Sequence, residues 1–431
     1  MDMLVIEGGR PLQGEIDVSG SKNAALPILA ATLLTKEKSV IQGVPRLRDV
    51  ETMLAILREL GMRADRLENG DIEVELQDES PVRARYELLK TMRAGICVLG
   101  PLLAKRGKAS VSLPGGCVIG VRPVDLHVKG LRNLGARMDV SHGYIVAEGQ
   151  LKGARVYLGG SFGSTVTGTA NVLMGAVLAQ GRSVIENAAC EPEVQDLADF
   201  LAKMGARIQG IGTHRLVVDG VEALGGATHR VIPDRIEAGT FLAAAAITNG
   251  DLKVRGAIAE HQDAVLDRLT EIGAELTCED GFIRARASKG LRSTQVATLP
   301  YPGFPTDMQA QLLTLLTIAD GISVVTERIY PDRFMHVAEL LRMGAVIQKE
   351  GPTAIVHGVH HLSGAKVMAS DLRASAALVL AGMAAKGTTE ISRVYHIDRG
   401  YERIEEKLRR VGARIERVDD GKQPGVSLET D

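Results

Sequence analysis

The phrases ILRELGM (56–62), LRNLGA (131–136), LAKMGA (201–206), LTEIGA (269–274), LLRMGA (340–345) and LRRVGA (408–413) decide the fold. Each closes an apolar-periodic stretch with a glycine, the residue favoured at the left-handed position just past a helix. The glycines, Gly61, Gly135, Gly205, Gly273, Gly344 and Gly412, stand 74, 70, 68, 71 and 68 residues apart. Five near-equal intervals between six copies read as an internal repeat of about 70 residues. After each glycine the pattern changes to alternation, as in ARIQGIGTHRLVVDG (206–220) and AELTCEDGFIRARA (274–287), which predicts a β-hairpin.

A second helix precedes each amphipathic one. The six are NAALPILAATLL (23–34), AGICVLGPLLA (94–104), TGTANVLMGAVLA (167–179), AGTFLAAAAIT (238–248), MQAQLLTLLTIA (308–319) and RASAALVLAGMAA (373–385). They carry little charge on any face, so they are expected to be buried on most sides. Short strands follow them, such as SVIQGV (39–44) and TEISRV (389–394). The unit is βαβαββ, repeated six times. One unit cannot close a core, so three per domain is the natural division. Helices then lie inside with sheets around them: a two-domain inside-out α/β barrel.

Composition agrees and excludes several classes. A chain of 431 residues is too long for one ordinary core, and 45% hydrophobic with 24% charged residues excludes disorder. A formal net charge of -2 gives no footprint for nucleic acid or an anionic membrane. No apolar run approaches the length of a membrane span, and MDMLVIEGG lacks the features of a signal peptide. The four cysteines include no CxxC pair, so neither a disulfide framework nor a structural zinc is expected. A cytoplasmic protein is expected. The segment from about 420 reads as a polar tail.

Chemistry is sought on the connections between units. SGSKNAALP (19–27) sets Lys22 and Asn23 at a helix start, where a lysine suits an anion. In LPGGCVIGVRPVDLH (113–127), Cys117 lies in a glycine-bracketed loop, unlike Cys97 within an apolar run. Arg122, Asp125 and His127 follow it, and Arg122 can fork onto phosphate or carboxylate. GGSFGST (159–165) offers backbone N–H groups to an anion but lacks the GK[ST] of a P-loop. Asp307 in YPGFPTDMQAQ, Asp234 in IPDRIEAGT and Asp371 in SDLRAS stand at helix starts, where capping is their ordinary role. Arg333 and Arg399 add cations at corresponding points of other units. The histidines of IVHGVHHLSG (355–364) do not have a metal-binding spacing, and no metal is expected.

Taken together, SGSKNAALP, GGCVIGVRPVDLH, IPDRIEAGTFL, GFPTDMQAQ, DLRASAALVLAG and YHIDRGYERIEEKL resemble the UDP-N-acetylglucosamine 1-carboxyvinyltransferases, a branch of the EPSP synthase (enolpyruvyl transferase) family. The resemblance runs from Met3 to about Val418. It implies one domain over 21–231 and another over 1–20 plus 232–431, with the N-terminal strand crossing to complete the second. It implies transfer of enolpyruvate from phosphoenolpyruvate to the 3′-hydroxyl of UDP-N-acetylglucosamine, with release of phosphate, as the first committed step of peptidoglycan synthesis. No cofactor is implied. The catalytic residues by resemblance are Cys117, Asp307, Lys22 and Arg399, with Cys117 the proton donor and the target of alkylating epoxides such as fosfomycin. Phosphoenolpyruvate is matched by Lys22, Asn23, Arg122 and Arg399. The UDP-sugar is matched by Asn23, Arg93, Arg122, Pro123, Val124, Asp125, Leu126, Ser161, Phe162, Gly163, Asp307 and Ile329, while Asp234, Arg333 and Asp371 are supporting. Relatives carry a lysine just before the 161–163 loop, and here the stretch is one residue shorter and lacks it. A shikimate-type transferase and a catalytically silent UDP-sugar-binding paralogue stand as alternatives.

Overall fold

The computed structural model describes residues 2–113, 124–287 and 290–419. Over these residues the chain forms six four-stranded sheets and six buried helices. The buried helices are Lys22–Ala31, Leu99–Arg106, Val166–Ala176, Arg235–Ile247, Gln309–Leu316 and Leu372–Ala384. Of the first three, Val166–Ala176 packs on both of the others, and the last three all pack on one another. Two expected helices begin later than the apolar pattern suggests. Arg93–Val98 is a 3-10 turn before Leu99–Arg106, and the α-helix begins where Pro101, which has no N–H to bond backwards, falls in its first turn. Thr306–Met308 is a similar turn before Gln309–Leu316.

Each sheet repeats one pattern. Gln295–Ala297 lies parallel to Ile322–Thr326, with Gln295 opposite Val324. Ile322–Thr326 then pairs antiparallel with Thr353–His357, which makes a hairpin with Val346–Glu350. The expected hairpins over 206–220 and 274–287 form from Arg207–Gln209 with Arg215–Asp219, and from Glu275–Glu279 with Phe282–Arg286. Inward positions on these strands are apolar and outward ones polar, so each sheet presents one face to its helices.

The unit is not always continuous in sequence. Thr228–Arg230, which comes after the third unit, supplies the parallel strand beside Ser39–Gln42 of the first. The N-terminus supplies two strands. Asp2–Glu7 lies between Thr388–Ser392 and Arg414–Asp419 in the last sheet, and Gln13–Asp17 pairs parallel with Asp251–Arg255 in the fourth. Buried apolar side chains fall into two clusters. One runs from Ala24 to Val231; the other joins Leu4–Ile16 to residues from Ile236 to Ile415. Two connections run side by side between them, with Gly20 bridged to Pro233 and the Ser21 N–H donating to the Ile232 carbonyl at 2.7 Å. No helix among the described residues is long and apolar enough to cross a membrane.

All six repeat glycines have positive φ, from +82° at Gly61 to +113° at Gly273. At Gly205, φ is +105° and no atom lies within 4 Å of where a Cβ would stand. A Gly205→Ala substitution therefore probes the backbone alone and should cost about 1–2 kcal/mol, with Gly205→Asn milder. Urea unfolding midpoints measure this; an alanine variant as stable as wild type would show that the glycine is not required.

Candidate active site

The N-terminal ends of several buried helices meet where the two cores face each other. The helix Lys22–Ala31 has one charged residue, Lys22, and it is the first, 8% exposed. Ser21 caps that helix, and the Lys22 N–H donates to Asp234 at 3.3 Å. Asp234 and Asp371 are N-caps of their own helices, as capping chemistry predicts. Asp234 thus adds a link between helix starts on either side of the seam.

Two carboxylates organise the cations. Asp49, on the helix Arg48–Glu59, bonds Lys22 Nζ at 3.1 Å and Arg399 Nε at 2.9 Å. It joins Lys22, at the start of the first cluster, to Arg399, which lies within the span of the second. Asp307 lies in the turn Thr306–Met308. It accepts from Arg333 Nη1 at 2.7 Å, Arg373 Nη2 at 3.1 Å and Asn23 Nδ2 at 3.5 Å. Arg333 also donates to Thr306 Oγ1 at 3.0 Å. The side chains of Arg333 and Arg373 are 6% and 2% exposed, whereas that of Asp307 is 26% exposed and reaches the opening between the halves. Lys22, Asn23, Asp307, Arg333 and Arg399 thus come together around two linked anionic centres.

The remaining candidates line the same seam more loosely. Asp125 is exposed at the first residue of the helix Asp125–Asn133, and Val124 and Leu126 are half-buried beside it. Leu126 packs against Gly160. His127 is buried, set between Asn171 Nδ2 at 2.9 Å and Thr167 Oγ1 at 3.2 Å. Burial, helped by Arg93, pulls its pKa down to about 3, so it is a neutral strut tying this helix to Val166–Ala176. Ser161 and Phe162 are exposed at the tip of a turn in which the N–H groups of Gly160 and Gly163 bond each other's carbonyls. Gly163 has φ +96°, and a Cβ there would stand 2.6 Å from Pro300 Cγ, so the loop closes directly on the second half. Ile329 is held in a neighbouring loop by its N–H to Glu327 at 2.8 Å, and Glu327 also bonds Thr306 beside Asp307. Arg93 opens the turn before Leu99–Arg106. Cys117, Arg122 and Pro123 lie outside the described residues, as does the tail from 420.

Two members of this cluster escaped the sequence reading. Arg373 is the only charge in the helix Leu372–Ala384, a signal of the same kind as Lys22, but it was overshadowed by the adjacent cap Asp371. Asp49 looks in sequence like an acidic residue in the first turn of an amphipathic helix, where dipole stabilisation already accounts for it. Its 4% exposure and two cations are visible only in three dimensions.

Residues 6–408 match the family model for EPSP synthase (3-phosphoshikimate 1-carboxyvinyltransferase). The chain is 54% identical over 419 residues to the UDP-N-acetylglucosamine 1-carboxyvinyltransferase of Methylacidiphilum infernorum, covering 97% of this chain and 99% of the other. It is 53% identical to proteins of the same name from Trichlorobacter lovleyi and Geotalea uraniireducens, covering 97% of this chain and 100% of each. Among solved structures it resembles the enolpyruvyl transferase NikO from Streptomyces tendae, with a TM-score of 0.87 at 21% identity over 97% of this chain and 99% of the other. An EPSP synthase from Acinetobacter baumannii gives 0.75 at 19% identity, over 97% and 100%. These two likenesses show the shared inside-out fold.

Burial alone would raise the pKa of Asp307, but Arg373, Arg333 and Lys22 outweigh it and hold the carboxyl well below the usual carboxylate range. Asp49 is likewise held down, by Lys22 and Arg399 against its own burial. With folded-state values below the unfolded ones, the folded chain binds fewer protons. The stability these groups contribute is complete above about pH 4 and is lost as pH falls through their folded values. Asp307→Asn should flatten the acid limb of stability by up to about one proton, read from urea midpoints between about pH 5 and 3. An unchanged slope would mean that the arginines do not hold this carboxyl down.

Proposed function

We propose that this chain, which belongs to the EPSP synthase family, transfers enolpyruvate from phosphoenolpyruvate to the 3′-hydroxyl of UDP-N-acetylglucosamine and releases phosphate. This is the entry step of peptidoglycan synthesis, carried out in the cytoplasm on small-molecule substrates. The observation that carries the site assignment is the pair of carboxylate-centred cation clusters at the seam: Lys22 and Arg399 on Asp49, Arg333 and Arg373 on Asp307. The donor brings a phosphate and a carboxylate, and fixed cations there stabilise charge without reorganising. The working units are the domain over 21–231 and the domain over 1–20 plus 232–431. The two separate apolar clusters support that division.

In the reaction, a proton is delivered to C3 of phosphoenolpyruvate and positive charge develops at C2. The sugar hydroxyl oxygen forms its bond to C2 and gives up its proton. Asp307 is the base that takes that proton: it is ionised, partly exposed and fixed by two arginines and Asn23. Loss of a proton from C3 and departure of phosphate then restore the double bond. Cys117, by its family position, is the acid that supplies the C3 proton. Arg122 joins Lys22 and Arg399 in holding the donor's anionic groups, with Asn23 beside them. Arg93, residues 123–126, the 161–163 loop and Ile329 hold the nucleotide sugar. Without the family lysine, the turn would meet a diphosphate with Ser161 and the backbone N–H groups of Ser161 and Phe162, since that of Gly163 bonds the Gly160 carbonyl.

The deciding experiment is phosphate release from phosphoenolpyruvate with and without UDP-N-acetylglucosamine. Release that depends on the sugar nucleotide is expected, with Cys117→Ser strongly impaired; sugar-independent or absent release would refute the reading. Asp307→Ala should lower kcat by about 10²- to 10⁴-fold. Lys22→Ala should raise KM for phosphoenolpyruvate well above any change in KM for the sugar nucleotide, and equal kinetics would remove Lys22 from the donor site.

A further inference from the structure

We propose that Asp49 is an internal counter-anion of the donor site, a carboxylate that offsets part of the charge of Lys22 and Arg399 and so limits how tightly a phosphate group is held there. This deepens the functional reading above and rests on its placing of the anion at Lys22 and Arg399. Asp49 is 4% exposed and touches both cations at once, with 3.1 Å to Lys22 Nζ and 2.9 Å to Arg399 Nε. An ammonium carries three N–H donors and a guanidinium five. Asp49 uses one from each, and the others make no hydrogen bond among the described residues. Arg399 is engaged through Nε, which leaves its two Nη groups as a fork for a carboxylate or phosphate. The side chain of Lys22 is 10% exposed and that of Arg399 25%, so both can still be reached.

Two cations at this spacing without a carboxylate between them would bind a phosphate dianion tightly, and the reaction must release one in every cycle. Asp49 leaves both cations in place and lowers the field that the anion meets. A purely structural role predicts the opposite sign for its removal. If Asp49 only held the two side chains in position, a neutral residue would loosen them and weaken anion binding. If it is a counter-anion, the loss of its charge strengthens binding.

The test is calorimetric titration of the full chain with inorganic phosphate, comparing wild type, Asp49→Asn and Asp49→Glu. The asparagine variant should bind phosphate about tenfold more tightly, the effect of one removed unit charge under partial screening. The glutamate variant, which keeps the charge, should stay near wild type. In turnover, Asp49→Asn should show stronger inhibition by phosphate and a lower kcat, with no rise in KM for phosphoenolpyruvate. Unchanged or weaker phosphate binding by Asp49→Asn would overturn the inference, as would a failure of every form to bind phosphate. Asp49→Ser, smaller and also neutral, is read in the same way if the asparagine variant does not fold; inability of both to fold would make the carboxylate structural and overturn it too. Because the titration needs no turnover, a wild type that binds phosphate through Lys22 but releases none from phosphoenolpyruvate would refute the functional reading and leave this comparison standing.

Discussion

Six helices enclosed on every side leave almost no place for charge except at their ends, and the rest of the molecule follows from that constraint. A charged side chain in the middle of Lys22–Ala31 or Leu372–Ala384 would have to be desolvated among alanine, leucine and valine, at a cost that no neighbour there could offset. At the first turn it reaches the seam between the two cores, where water and opposite charges are available. Burial requirements therefore place Lys22, Arg373 and the turn bearing Asp307 in one small region. The helix N-termini add their own partial positive charge there. A gathering of cations at the seam is the physical by-product of packing helices inside sheets.

Charges gathered in this way repel one another unless carboxylates are set between them. Asp49 and Asp307 do this, and each links elements far apart in sequence: Asp49 joins Lys22 to Arg399, and Asp307 joins Asn23 to Arg333 and Arg373. Buried ion pairs of this kind contribute little net stability, since desolvation cancels most of the attraction. Their consequence is geometric. They fix the directions of the remaining N–H donors, and they fasten the first half of the chain to the second at the point where a ligand would enter. Buried Glu193 adds another tie, accepting from Arg235 Nε at 2.9 Å and Nη2 at 3.2 Å.

The repeat was legible in the sequence because its signals are local. A glycine past a helix, an alternating hairpin and an uncharged helix are each decided within a dozen residues, and the six positive φ values follow directly. Strand exchange was less legible. Thr228–Arg230 is too short to declare which sheet it joins, and its partner Ser39–Gln42 lies nearly 190 residues earlier. The N-terminal segment likewise serves two sheets where one crossing strand was expected. Of the residues in this cluster, those carried by long motifs, such as Lys22, Asn23, Asp307 and Arg399, could be named in advance as candidates. Asp49 could not, because its partners come from segments that only folding brings near it. Arg373 could have been, since one charge in a wholly buried helix requires a partner.

Asp307 poses a question that the same charges answer. A carboxylate held far below its usual pKa is a weak base, and Arg373, Arg333 and Lys22 are what hold it there. A base this weak would take a proton from a sugar hydroxyl only with difficulty. Lys22, however, also belongs to the proposed donor site, and an anion bound to it would lower the potential at Asp307. The basicity of Asp307 would then rise when the donor arrives. In the proposed reaction Lys22 would thus couple the two events: the carboxylate would gain basicity in the complex that has something to deprotonate, and the arginines would hold it in place meanwhile.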